Sequence, residues 1–204
     1  MRDIEMPEQE AELLRETYRS ATTRVILEYG SGGSTAFAAT LPGKFIISVE
    51  SDRDWARDLQ LELDAGPTLS PAILYHVDIG PTGSWGRPVD FSHWQRFHGY
   101  PLAVWKEPFF RHPDVVLIDG RFRPACLVAT ALNISRPVRV LFDDYAKRQT
   151  YHVVEEFIRP STLVGRMAVF DLEPGLLDAG RIDTIMEAFS QATSEENAGY
   201  KRPA

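Results

Sequence analysis

The run Glu28-Tyr29-Gly30-Ser31-Gly32-Gly33-Ser34-Thr35 sets three glycines between an apolar segment and a segment of small residues. Where a buried strand turns sharply into a helix, the first helical N–H groups have no intrahelical partner, and glycines let a ligand come close to that backbone. Gly30, Gly32 and Gly33, with Ser31 and Ser34 beside them, fit such a cradle. Glu50 closes the next apolar segment twenty positions after Gly30, where a carboxylate suits ribose hydroxyls. Taken alone, the glycines are equally explained by an ordinary tight turn. The G-x-G-x-x-G spacing of dinucleotide binders fails at its last position, where Thr35 stands.

Three aspartates form the second group: Asp119 follows the apolar run 115–118, and Asp143 and Asp144 follow 138–142. Adjacent strands lie about 4.8 Å apart, so these carboxylates could meet on one cation. Oxygen ligands suit Mg²⁺ or another divalent cation, which would lower the pKa of a bound hydroxyl. The alternative is that they cap the helices that follow. As groups that handle protons, Asp119, Asp143 and His98 are the candidates, His98 lying with His93 and His112 in or beside a long insertion. Trp85 offers a flat face for an acceptor, Arg121 a charge for an acidic or phosphate group, and Tyr145 a wall for the same site. Solvated histidines, surface ion pairs and packing are the corresponding bland readings.

Elements that would carry these residues alternate along the chain. Short apolar runs at 24–28, 45–50, 73–78, 114–119 and 138–143 read as buried parallel strands. Periodic segments at 34–41, 53–65, 122–134 and 148–158 read as crossover helices, and 8–21 as a lead-in helix. Runs 161–164 and 167–172 are separated only by Gly165-Arg166, which predicts an antiparallel hairpin at the sheet edge. A final helix at 181–192 and a polar tail at 193–204 complete one domain, 1–204, with a doubly wound α/β sheet. The segment 79–113 is too long for an ordinary connection and too aromatic for disorder, so it is expected to be a lid.

A formal charge of −7 argues against a phosphate-backbone binder and for a small-molecule acceptor rather than nucleic acid. The one cysteine, Cys126, sits in an apolar helical run and reads as core. No apolar leader or membrane-length stretch is visible, so a cytoplasmic protein that does not bind membranes is expected. Oligomeric state is left open, a homo-oligomer included.

With these residues in view, E-x-G-x-G-G-S-T resembles motif I of the class I S-adenosylmethionine-dependent methyltransferases. The resemblance runs from about residue 22 to 172, through the strand–helix alternation and the hairpin. It implies a Rossmann-like, seven-stranded, mostly parallel sheet with an antiparallel C-terminal hairpin strand. It implies S-adenosylmethionine held by Glu28 at its methionine end, by Gly30, Ser31, Gly32, Ser34 and Thr35, by Glu50 at the ribose, by Asp78 beside the adenine amine and by Asp119 near the methyl group. Ile118-Asp119-Gly120 and Phe142-Asp143-Asp144-Tyr145 look like the metal-binding segments of the macrocin and novobiocin type sugar O-methyltransferases, implying a divalent ion on Asp119, Asp143 and Asp144. The chain departs from that family at Arg121-Phe122-Arg123, where an acidic residue and a histidine are usual. The implied activity is O-methylation of a small-molecule hydroxyl. Cofactor binding without turnover and NAD-dependent oxidoreduction are the alternatives, prompted by Arg121-Phe122-Arg123 and by the glycine turn with Glu50.

Overall fold

A computed structural model describes residues 2–195. Seven strands form one sheet in the order β3-β2-β1-β4-β5-β7-β6. β1 (Val25–Tyr29), β2 (Phe45–Glu50), β3 (Ala72–His76), β4 (Val115–Ile118) and β5 (Val138–Phe142) are parallel. β7 (Met167–Leu172) runs antiparallel to both β5 and β6 (Thr162–Val164). The expected doubly wound, Rossmann-like sheet with a C-terminal hairpin is therefore present. Chain direction across the sheet reverses between β1 and β4, and in open α/β sheets the crevice at such a reversal, outside the carboxyl ends of the strands, is where ligands bind.

Strand parity decides which helices each residue meets. Leu27, Tyr29, Val116, Ile118, Val140 and Phe142 face α5 (Arg123–Asn133) and the insertion. Ile26, Ile46, Val115, Leu117 and Leu141 face α1 (Glu8–Arg19), whose Leu14 and Tyr18 supply the apolar stripe, and α2 (Gly33–Thr40). α3 (Arg53–Ala65) closes that side by packing Leu59 and Leu63 on Ala36 and Ala39. Cys126 is fully buried in α5, as expected of a core thiol.

Three expectations need correcting. β3 stops at His76, so Asp78 is not a strand-end residue. The segment 148–158 is a 3-10 helix over Gln149–Glu156 rather than an α-helix. Tyr151, Val154 and Phe157 recur every three residues, the 3-10 period, and all pack into the same core. The expected lid also divides. Its later part is fixed to the sheet: α4 (Gly99–Leu102) buries Tyr100, the Tyr29 hydroxyl donates to the Pro101 carbonyl at 2.7 Å, and Trp105 Nε1 donates to that hydroxyl at 2.8 Å. Only the earlier part, around Trp85 and Trp94, stands exposed. The final helix, α6, spans Ile182–Ser190, and the expected tail lies outside the described residues from 196 onward. Among the described residues no helix is long and apolar enough to cross a membrane.

Candidate functional site

The turn after β1 and the turn after β4 touch. Gly30 has φ +100°, and a Cβ there would lie 2.7 Å from the Gly120 amide nitrogen; a Cβ on Gly120 would lie 2.1 Å from the Tyr100 hydroxyl. Glycine at both positions lets the two loops and Tyr100 meet at the point where the sheet reverses. Above them is a cavity of about 450 Å³, lined among others by Gly30, Ser31, Gly32, Ser34, Glu50, Trp85, Asp119 and Arg121. The residues expected to form a cradle are thus brought together at the carboxyl edge. Gly30→Ala should cost roughly 1–3 kcal/mol of stability through its positive φ alone. A urea titration checks this, and a wild-type midpoint would contradict the close approach.

Glu50, at the end of β2, is held by five donors. Its Oε1 accepts from the amides of Ser51 (2.7 Å) and Asp52 (3.0 Å) and from the Ser51 hydroxyl (3.4 Å), and its Oε2 from the Ser31 amide (3.2 Å) and hydroxyl (2.8 Å). On Oε2 the Ser31 Oγ is the donor that can rotate away and yield its place to a ligand hydroxyl. Trp55 fixes the other side of the turn by donating from Nε1 to the Ser31 carbonyl at 3.0 Å.

Glu28 and Thr35 do not reach the cavity. Glu28 shares strand parity with Ile26, so its fully buried carboxylate points toward α1 and α2, accepting from the hydroxyls of Tyr18 (2.8 Å) and Thr35. Burial pushes its pKa up, opposed by those hydrogen bonds. The pair fastens α2 to β1 beneath the turn. Asp78 is exposed and engaged by the Gly80 amide at 2.9 Å and Arg96 at 2.6 Å, which together hold it below the usual carboxylate range. It is not on the cavity wall. His98 is exposed and does not line the cavity. Tyr145 is 1% exposed, stacked on His152 and bonded to Glu155 at 2.8 Å; it packs the core rather than walling an acceptor site. Trp85, by contrast, lines the cavity and is 73% exposed, with its backbone at φ +60°.

The three aspartates do converge, but on arginines. Arg123, in the first turn of α5, reaches back with Nη2 3.0 Å from Asp119 and 3.8 Å from Asp144, and with Nη1 3.5 Å from Asp143. Arg166, from the β6–β7 turn, lies 3.0 Å from Asp143 and 3.2 Å from Asp144, and Arg148 lies 2.9 Å from Asp144. Guanidinium groups fill the space and neutralise the charge that a divalent ion would need, so the donor set does not fit a metal. Among the described residues no cluster of His, Cys, Asp or Glu could hold one. Burial raises the Asp119 carboxyl, Arg123 opposes this, and Asp143 and Asp144 add to the rise, leaving it at about 7 instead of 3.8. Asp119 keeps 34% of its side chain exposed and lines the cavity. For Asp144 burial acts upward too, but Arg123, Arg148 and Arg166 outweigh it and its pKa is lowered.

Several wall residues had no sequence signal. The N-terminal segment from Arg2 to Met6 passes over the start of α2, so close that a Cβ on Gly33 would lie 1.9 Å from the Asp3 carbonyl oxygen. Arg2 holds it there, stacked 3.8 Å over the Trp55 ring and paired with Glu62 at 2.7 Å. Tyr100, under the cavity, was visible only as one aromatic among many in the insertion.

The chain matches no protein-family model and no curated protein. Among solved structures, an RNA methyltransferase from Salinibacter ruber in complex with S-adenosyl-L-homocysteine is 17% identical, with a TM-score of 0.46 over 86% of this chain and 97% of that one. A SAM-dependent O-methyltransferase from Thermotoga maritima is 12% identical, with a TM-score of 0.46 over 86% of this chain and 63% of that one. A methyltransferase-like protein from Silicibacter pomeroyi DSS-3 is 49% identical and superposes with a TM-score of 0.87, covering 92% of this chain and 97% of that one. At 49% identity over 92% of its length, the chain belongs to the family of this methyltransferase-like protein.

Proposed function

We propose that this chain binds S-adenosylmethionine in the cavity over Gly30 and catalyses methyl transfer to a hydroxyl of a small molecule. The observation that carries the reading is that Glu50 and Asp119 both line the cavity that Gly30 and Gly120, in contact with each other, also line. Gly30, Ser31, Gly32 and Ser34 present backbone to the cofactor, and Glu50 accepts from the ribose hydroxyls once Ser31 Oγ has turned away. When bound, the cofactor supplies a methyl group on a sulfonium that keeps the bonding pair on sulfur as the acceptor oxygen bonds the carbon. Asp119 takes the acceptor's proton on its carboxylate, and Trp85 offers the acceptor a face. Positioning supplies much of the rate in such an in-line displacement. Metal assistance has no part in this scheme.

A base whose pKa lies near 7 gives a distinctive profile. The rate should rise with pH through about 7 as Asp119 loses its proton and then level off. Asp119→Asn should lower the rate and flatten that limb. An unchanged limb in the variant would remove Asp119 from the proton's path. Turnover itself is tested by incubating the protein with S-adenosylmethionine and a panel of hydroxyl-bearing small molecules, with RNA as a separate arm. S-adenosylhomocysteine release with a small molecule supports the reading, and methylation of RNA alone would overturn it.

The engagement of Asp119 by Arg123 at 3.0 Å favours a second reading, a protein that holds the cofactor without turnover. Cofactor binding with no product from any acceptor would select it.

A further inference from the structure

Of the two arginines that line the cavity, Arg2 is paired with Glu62, and Arg121 is in no ion pair among the described residues. Asp119 is paired with Arg123, and both oxygens of Glu50 are taken by backbone amides and Ser31. Among the described residues no carboxylate lies within ion-pair distance of the Arg121 guanidinium; the charged groups that act on it most are Arg123 and Arg87, both of its own sign, with the Tyr100 and Tyr151 hydroxyls also near. Its Nε is buried with no hydrogen-bond partner among the described residues. Arg87 has a carboxylate of its own, Glu195 at 3.8 Å. The main chain fixes where Arg121 starts, since its amide donates to the Tyr100 hydroxyl at 3.4 Å, its carbonyl accepts from Cys126 Sγ at 3.3 Å, and Phe122 follows in the left-handed region at φ +51°.

A half-buried guanidinium without a counter-ion carries a desolvation cost, and that cost is offset where a ligand brings the anion. The planar fork of arginine matches the paired oxygens of a carboxylate or phosphate. We infer that Arg121 anchors an anionic group, a carboxylate or a phosphate, on the methyl acceptor; the word acceptor rests on the function proposed above. Arg121 follows Asp119 by two residues on the same strand-end loop, whereas Glu50 marks the ribose end on β2. The acceptor is therefore a compound whose reacting hydroxyl and acidic group lie a few bonds apart, a hydroxy acid or a phosphorylated polyol.

The side-chain Nε–H resonances of arginine in the ¹⁵N-labelled full chain read this directly, with Arg121 assigned by its absence from Arg121→Lys. Inorganic phosphate, and salicylate but not salicylamide, should move the Arg121 resonance saturably. In Arg121→Met the remaining arginine resonances should stay still, and the affinity for S-adenosylhomocysteine should remain within about twofold of wild type. No anion-dependent movement of Arg121, or equal movement with salicylamide, would overturn the inference. So would a loss of S-adenosylhomocysteine affinity of about tenfold or more in Arg121→Met with 5′-methylthioadenosine binding unchanged, because Arg121 would then hold the cofactor's own carboxylate. The phosphate titration needs no cofactor, so failure of the protein to bind S-adenosylhomocysteine would sink the proposed function while leaving the anion site standing.

Discussion

Arg123→Met should destabilise the protein by about 3–5 kcal/mol, the usual cost of removing one partner from a buried ion cluster. Arg123 is 6% exposed and serves five oxygens: the carboxylates of Asp119, Asp143 and Asp144 and the carbonyls of Gly120 (3.1 Å) and Asp143 (2.6 Å). Without it, among the described residues, Asp143, itself 1% exposed, keeps Arg166 alone, and Asp119 keeps no cation at ion-pair distance. The loss should depend on pH with a definite sign. The folded pKa of Asp119 is already raised to about 7, so the folded state binds a proton that the unfolded chain has lost, and stability from this group falls as pH rises from 3.8 to about 7. Removing Arg123 removes an influence that opposes this rise. The variant is therefore hurt most above pH 7 and least near pH 5, as urea titrations at the two pH values would read. Arg123→Lys should recover little, because one ammonium cannot serve carboxylates on two strand ends. If Arg123→Met unfolds at the wild-type midpoint at high pH, the cluster is held by something other than these guanidiniums. A metal at this position predicts the opposite of what Arg123 implies: a divalent ion would raise the melting temperature and a chelator would lower it. Neither change is expected.

Glu50→Gln should weaken S-adenosylhomocysteine binding roughly 100-fold, about 2.7 kcal/mol. The carboxylate gathers five donors and can exchange Ser31 Oγ for a ligand hydroxyl; an amide presents N–H where one of these donors already points. Ser31→Ala supplies the control. It removes the hydroxyl that occupies Glu50 at 2.8 Å, so affinity should hold or improve. Isothermal titration of the two variants separates a direct role for Glu50 from a role in shaping the turn: if both lose affinity equally, Glu50 acts through the turn.

The fold was legible because its signals are local. Five apolar runs alternated with helical periods, and a two-residue gap at Gly165-Arg166 marked the hairpin, where Gly165 has φ +57°. The cradle was legible for a similar reason: Gly30, Glu50 and Asp119 all fall at strand ends, which a parallel sheet brings to one edge. Side-chain direction was harder. β1 is buried on both faces, so it shows no apolar–polar alternation to reveal that Glu28 turns toward Tyr18 and away from the cavity. Asp78 was misplaced by the two residues by which β3 falls short. The metal failed because Arg123 lies one helical turn from Asp119, a spacing plain in the sequence, while the reach of Arg166 across from another strand pair was not. The N-terminal wall, Arg2 to Met6, has no periodicity and is placed by Arg2 stacking on Trp55 and pairing with Glu62.

The central claim is that the cavity over Gly30 and beside Glu50 holds S-adenosylmethionine. Calorimetric titration of the purified chain with S-adenosylhomocysteine, with NAD as competitor, tests it most directly. Saturable binding at a single site, indifferent to NAD and weakened roughly 100-fold by Glu50→Gln, is the predicted result. No binding of S-adenosylhomocysteine, or its displacement by NAD at comparable concentration, would contradict it.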